Sequence, residues 1–528
     1  MTREPLDYLV IGAGPAGVQL GYYLKRAGHD HLVLEAGPTP GTFYRKFPRH
    51  RQMISINKPY SGWDDPDLRL RVDWNSLLDD ETAGTHGTAA RFTEYTDRYF
   101  PHADDYIRYL TDFAAHHDLR IRYDTAVVRV ARDGERGLFE VTDEHGTVHR
   151  ARRVVAAIGF GRGNVPDIPG IETAETYQDV SVDRDDFTNQ RVLIIGKGNS
   201  AFETADHLTE RAAVIHIVGP SSIKFAWKTH FIGHLRAVNN NFLDTYQLKA
   251  QNSVLDGTVE SIERLGDGYA VAVSYGRRDE VAHFTYDRVI CCTGFAMDGS
   301  MFAPECAPQL AIRDRFPALT SAWESVNVPD LYFAGTLTQV RDFKKYTSAF
   351  IHGFRYGVRA LGRVLERRYE GVEWPHRVVP ADPAVLAQAI LDRLATTSAL
   401  WQQFTFLCDL FVVAGGEVRH YEEMPVDYLH DTEFGESGLY FTVTLEYAPG
   451  HDELDPFDVP AGRAWEDEHK HDDRYLHPVV RCFNGAEVVL EHRVKENLDN
   501  DWTDPVIHVK PLVDHLATAL SGPARAGR

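Results

Sequence analysis

Read for period alone, the chain alternates between two kinds of segment. Short runs with no polar alternation, among them residues 8–11, 31–34, 192–195, 286–292 and 331–334, predict strands buried on both faces. Other segments carry apolar residues at helical spacing. Residues 104–117 set Ile107, Leu110, Phe113 and Ala114 on one face behind an acidic first turn, which predicts an amphipathic helix. From about Ser348 a second such helix shows Ile351, Phe354, Val358 and Leu361. Residues 121–123, 127–131, 138–142 and 148–151 predict a meander of short strands leading into 154–158, with a turn at 144–146. The breaker-rich stretch 161–169 predicts a hinge, and 82–88 an exposed loop. Beyond Pro375 the pattern changes: 385–413 reads as helix, 440–447 and 478–494 as strands.

Two of the buried strands run into glycine-rich turns, and this turns a pattern into chemistry. Gly12, Gly14 and Gly17, with Pro15 and Ala16 between them, fit GxGxxG at a strand-to-helix junction. The first glycine permits the turn, the second lets backbone approach a pyrophosphate, and the third lets helix pack on strand. The helix start offers free N–H groups and a positive dipole end. The next strand ends in Glu35, then Ala36, so a carboxylate is available to a ribose 2′-OH; the N-terminal position suggests FAD. Gly196, Gly198, Asn199, Ser200 and Ala201 repeat the motif as GxGxxA. Its following strand ends at Val218–Gly219 without a carboxylate, and Lys224 could face a 2′-phosphate, which leans toward NADPH with NADH possible. Gly159, Gly294, Gly335 and Thr336 close further strands, and Ser348 opens the helix whose positive end could stabilise a reduced flavin. Arg45 and Asn57 lie in an irregular stretch expected to cover the cofactor.

The expected fold is therefore α/β, with two dinucleotide-binding (Rossmann-like) domains, the second inserted in the first, plus a C-terminal α+β domain. The boundaries are 1–185 with 315–374 for FAD, 186–314 for NAD(P)H, and 375–528 for a C-terminal domain of no assigned role. A formal charge of −21 argues against nucleic acid and anionic membrane surfaces. The five cysteines form no CxxC, which argues against a dithiol relay, and no spacing predicts a metal site; His469 and His471 read as part of a solvated loop. With no long apolar run and no leader before the first strand, a cytoplasmic protein is expected.

With these motifs placed, the chain resembles the class B flavoprotein monooxygenases, and more narrowly the FAD-dependent oxidoreductase domain-containing protein 2 group. The resemblance is carried by PRHRQMISINK (48–58), DWNSLL (73–78), GNSAFETA (198–205), NNNFLDTYQLK (239–249), FIHGFRY (350–356) and DWTDP (501–505). It departs from the pattern where Tyr177 stands at the histidine of the monooxygenase fingerprint, and where Pro220 and Ser222 replace arginines, leaving only Lys224. The vertebrate members' secretory signal and retention ending are also missing, so their compartment does not carry over. A looser similarity to amino-acid N-hydroxylating flavoenzymes makes Lys58 and Asn240, with Asn239 beside it, substrate-contact candidates; Arg45, from the irregular stretch over the cofactor, is a further catalytic candidate. The resemblance implies an FAD- and NAD(P)H-dependent monooxygenase that forms a flavin hydroperoxide from O2 and oxygenates a small amine-like substrate, by N-hydroxylation of an amine or amino acid. The alternatives are an NAD(P)H-dependent flavin oxidase or reductase without oxygen insertion, or a flavin-fold scaffold protein. A homo-oligomer is left open.

Overall fold

The polar-free run near the N-terminus becomes the inner strand of a parallel sheet. In the computed structural model, which describes residues 4–79, 89–134, 137–249, 252–275, 280–453, 476–495 and 502–521, β1 (Leu6–Ile11) runs into α1 (Pro15–Arg26). It pairs in parallel with β2 (His31–Leu34) on one side and β6 (Val148–Ala156) on the other. Pro15 sits at the first helical position, where its fixed φ suits the helix and its missing N–H costs nothing. The expected loop at 82–88, together with His469 and His471, lies outside the described residues.

Three readings of this region need correction. Ile121–Arg122 (β3) pairs in parallel with β2 and does not belong to the meander. It follows α2 (Ala103–His116), and a helical crossover returns the chain to the sheet in the parallel sense. Residues 148–151 and 154–158 are not separate strands: β6 is one strand whose first half pairs antiparallel with β5 (Phe139–Asp143). β5 in turn pairs with β4 (Val127–Arg132), while the second half of β6 pairs in parallel with Leu331–Phe333. On α2, Tyr106 and Tyr109 are buried with Leu110 and Phe113, while Ile107 is only half-buried.

The second sheet is wholly parallel. Its order is β10 (Ser253–Asp256), β9 (Val214–Gly219), β8 (Arg191–Ile195), β11 (Arg288–Cys291) and β7 (Glu175–Thr176), with α3 (Asn199–Leu208) crossing from β8 to β9. Tyr286 is not part of β11; it ends the last strand of a three-stranded antiparallel sheet over residues 258–286 that covers one face. Where the chain passes between the two sheets, the outgoing and returning segments are joined. Phe295–Ala296 pairs with Arg162–Gly163, and the Asn164 backbone N–H donates to Gly294 O at 2.9 Å.

α5 (Ile351–Glu370), between α4 (Asn241–Lys249) and the C-terminal unit, buries Ile351, Phe354, Val358 and Leu361 and packs against α1. It does not begin directly after Gly335–Thr336, because a 3₁₀ stretch (Gly335–Arg341) and a loop intervene. The helix read over 385–413 is also shorter: α6 (Pro383–Thr396), capped by Asp382, ends before a one-turn helix at Ala399–Gln402. Residues 407–414 are a strand of a six-stranded antiparallel sheet that spans 376–493. LCDLFVVA is short and rich in β-formers, and burial between neighbours decides in favour of strand. Half-buried Arg393 ties this unit together, with buried Asp409 and Glu423 each at 3.0 Å, and Glu423 also meets Arg359 of α5. Among the described residues no helix is long and apolar enough to cross a membrane.

Candidate functional site

At the first glycine turn the protein itself accounts for two glycines and leaves the third facing open space. A Cβ on Gly12 would lie 2.7 Å from Ala157 O, and one on Gly17 only 1.9 Å from Gly12 O. A Cβ on Gly14 would meet nothing within 4 Å. Gly335, at φ +81°, closes on the same turn, since a Cβ there would lie 2.8 Å from the Ala16 methyl. No side chain caps the start of α1. Uncapped N–H groups beneath an open glycine fit the pyrophosphate of FAD. Glu35 is buried: its Oε2 accepts from Ala13 N at 2.6 Å, and its Oε1 from Gly37 N and Thr42 Oγ1. Ala36 is exposed, and Gly159, at φ +58°, also has an open face. Arg45 is exposed and donates to Thr39 Oγ1; Lys58 is exposed on the next loop. The Asn57 amide is buried and donates to Thr96 O.

The second turn repeats the arrangement. A Cβ on Gly196 would sit 2.2 Å from Cys292 O, Ala201 is fully buried, and Gly198 faces open space ahead of the uncapped start of α3. Here β9 ends at Gly219 without a carboxylate, as the sequence reads, but one reaches that point from the strand beside it. β10 lies beside β9 with Asp256 opposite Gly219, so the neighbouring strand supplies the acid. Lys197, the residue between the two glycines, runs its stem across Gly219 and pairs with Asp256, which also accepts from Ser222 at 2.7 Å. The Asn199 side chain is committed to the overlying loop: it donates to His234 O at 2.9 Å and accepts from Arg236 N at 3.0 Å. Ser200 and Gly294 line one small cleft with Tyr177 and Phe295. Lys224 is exposed.

The loop that follows the first turn reaches the second. His50 N donates to Glu203 Oε1 and Tyr177 OH to Glu203 Oε2, both at 2.9 Å. Burial pushes the Glu203 carboxyl up to about 7. Nearby, three flat groups stack: the Arg236 guanidinium lies 5.3 Å from the Trp74 ring, and Trp74 stacks on His352 at 4.3 Å. His352 is fully buried with neither ring nitrogen bonded among the described residues, and burial followed by Arg355 and Arg236 holds it well below the usual imidazole range. Arg236 Nε and Asn240 Oδ1 are also buried without hydrogen-bond partners among the described residues. Asn239 instead donates to Asn199 Oδ1, and the asparagine run separates a 3₁₀ turn from α4.

Thr336 Oγ1 donates to Ala349 O at 2.9 Å, and Ser348 N donates to buried Asp342, whose other oxygen has no partner and whose carboxyl burial raises to about 6. Glu203, Trp74, Arg236, His352 and Asp342 were not singled out from the sequence. Glu203, Trp74 and His352 stand inside the segments that carried the resemblance, which was the available signal.

A model of the family described as pyridine nucleotide-disulphide oxidoreductase matches residues 9–335. The FAD-dependent oxidoreductase domain-containing protein 2 of Mus musculus is 33% identical, over 99% of this chain and 85% of the mouse protein. Among solved structures, a flavin-containing monooxygenase from Stenotrophomonas maltophilia aligns with TM-score 0.53 at 19% identity, over 69% of this chain and 98% of that one. A bacillithiol disulfide reductase from Staphylococcus aureus aligns with TM-score 0.52 at 18% identity, over 69% of this chain and 99% of the reductase. At such identities these two structures show a shared fold and nothing finer.

Proposed function

Because the chain belongs to the pyridine nucleotide-disulphide oxidoreductase family, and so is a flavin-dependent oxidoreductase using FAD and NAD(P)H, we propose that it is a monooxygenase that inserts oxygen from O2 into a small nucleophile. An amine or amino acid hydroxylated on nitrogen is the substrate favoured here. FAD, held at the Gly12–Gly17 turn, supplies the two-electron chemistry and the reaction with O2. The nicotinamide nucleotide is assigned to the Gly196–Ala201 turn, with NADPH preferred through Lys197 and Lys224.

The observation that carries this reading is a set of buried polar atoms without hydrogen-bond partners among the described residues: Arg236 Nε and both His352 nitrogens in the Trp74 stack, and Asn240 Oδ1 four residues along the chain from Arg236. Asn240 Oδ1 can accept from a substrate N–H, Arg236 Nε can donate, and His352 stays neutral. A buried polar atom without a partner costs about 1–3 kcal/mol, so a ligand that supplies the missing bonds is held with direction. Trp74 and the stacked imidazole limit water there, which protects a reactive oxygen donor from hydrolysis. Lys58 and Arg45, both exposed, are assigned to substrate entry and the cofactor's edge. All five cysteines are buried and unpaired, which weighs against a disulfide relay.

The test is purified, flavin-loaded protein given NADPH and O2 with a panel of amines and amino acids. Hydroxylated product in step with NADPH consumption is expected. Hydrogen peroxide alone, with every substrate, would assign electron transfer without insertion. Asn240→Ala should lower coupling to product at least tenfold while leaving flavin content unchanged.

A further inference from the structure

A cavity of about 370 Å³ opens where three parts of the chain meet. One wall comes from residues 224–234 of the second unit, another from the loop at 344–346 ahead of α5, and the third from residues 404–405 and 447–451 of the C-terminal unit. Three lysines (Lys224, Lys344 and Lys345) and three histidines line it, and no carboxylate does among the described residues. That is an unusual concentration of one sign in a chain of net charge −21. Burial, then Arg315, Lys224 and Arg313, lowers the pKa of Lys344, so these cations crowd one another and gain when an anion joins them.

The C-terminal wall is flat and aromatic. His230 stacks on Tyr447 with centroids 4.6 Å apart and 17° between planes, and Tyr447 stacks on His451 at 4.6 Å and 20°. Phe404 meets Tyr447 edge-on at 5.3 Å. Burial, then His451, lowers the pKa of His230, which favours its neutral ring as an apolar face of the stack.

We propose that this cavity binds a small molecule in which a carboxylate or phosphate is attached to a planar ring, the anion against Lys344 and Lys345 and the ring against the Tyr447 stack. A cavity of this size, with convergent lysines on one side and aromatic ring faces on the other, suits a ligand of that kind. None of Trp74, Arg236, Asn240 or His352 lines this cavity, so the proposal goes beyond the reaction proposed above; it also gives the C-terminal unit a task, as the wall that selects the ring.

Binding is measured without turnover, so the two ideas fail separately. Full-length, FAD-loaded protein is titrated calorimetrically with benzoate, phenyl phosphate and neutral benzyl alcohol, with and without saturating NADP⁺. The two anions should bind at least tenfold tighter than the alcohol, and severalfold weaker at 500 than at 50 mM salt. Lys344→Gln with Lys345→Gln should cost at least tenfold in anion affinity at unchanged flavin content and Tm, and the paired Lys→Arg variant should restore it. Tyr447→Ala should weaken both anions equally.

Three results would overturn the proposal. One is equal binding of alcohol and acids; another is no effect of the double variant. The third is loss of acid binding when NADP⁺ or adenosine 2′,5′-bisphosphate is present, which would give the cavity to the coenzyme's own phosphate.

Discussion

The two glycine-turn units place a polar side chain at the same point, seven residues after the first glycine, and use it in opposite ways. In the first unit that residue is Gln19, fully buried on α1, which donates to Arg355 O at 2.6 Å and accepts from Leu78 N at 2.9 Å. In the second it is Glu203 on α3, which accepts from His50 N and Tyr177 OH. Each ties its helix to the loop lying over it. An amide can donate and accept without ever titrating. A carboxylate can only accept unless it takes up a proton, and burial has moved its titration to about 7. The joint inside the first unit is therefore indifferent to pH, while the joint between first and second is not.

The largest expected effect breaks the backbone likeness itself. Gly17→Ala forces a Cβ to within 1.9 Å of Gly12 O and should cost more than about 4 kcal/mol, read as loss of soluble folded protein. Gly14→Ala should fold with unchanged Tm and lose at least tenfold in FAD affinity, because only the ligand fills that space. Next, Gln19→Glu puts an uncompensated carboxylate beside Arg355 O and should destabilise at neutral pH by about 3 kcal/mol in denaturant unfolding.

The reverse exchange, Glu203→Gln, sharpens the comparison. A carboxyl raised from 4.5 to about 7 contributes stability that is full below the lower value and is lost as pH rises through the upper. Wild type should thus lose on the order of 2 kcal/mol between pH 5 and 9 that the variant keeps. Asp206 and Asp342, both raised to about 6 by burial, erode in the same sense in both proteins, so the difference isolates Glu203. The smallest effect concerns the ribose end. Lys197→Ala should raise KM for NADPH about tenfold and barely change it for NADH, and Asp256→Asn should affect NADH more.

The glycine turns were legible in the sequence because their requirements are local: a turn, a close helix–strand contact and an open face are fixed within six residues. Glu35 was legible for the same reason, since it ends the strand next in sequence. Asp256 was not, because the strand that presents it beside Gly219 comes after an intervening loop and helix, and only parallel pairing brings it there. The 121–122 strand was misplaced on similar grounds: its residues carry no mark of whether they pair with β4, the next strand along the chain, or with β2. The stretch at 407–414 misled because a short apolar run suits helix and strand alike until its neighbours are known. At the site, Asn240 and Lys58 came from resemblance. The sandwich of Arg236, Trp74 and His352 joins three distant segments and had no single-segment signature.

The paired segments at 162–164 and 293–296 have a consequence for how this molecule could be taken apart. Everything between them leaves and re-enters through one doorway, with the two threads lying side by side. Cutting both threads and joining them by a short bridge would leave the first sheet with all its own strands. Such a trimmed protein would ask whether flavin can be captured with the second glycine-turn unit removed, and the side-by-side exit makes that question one a single cloning step can put.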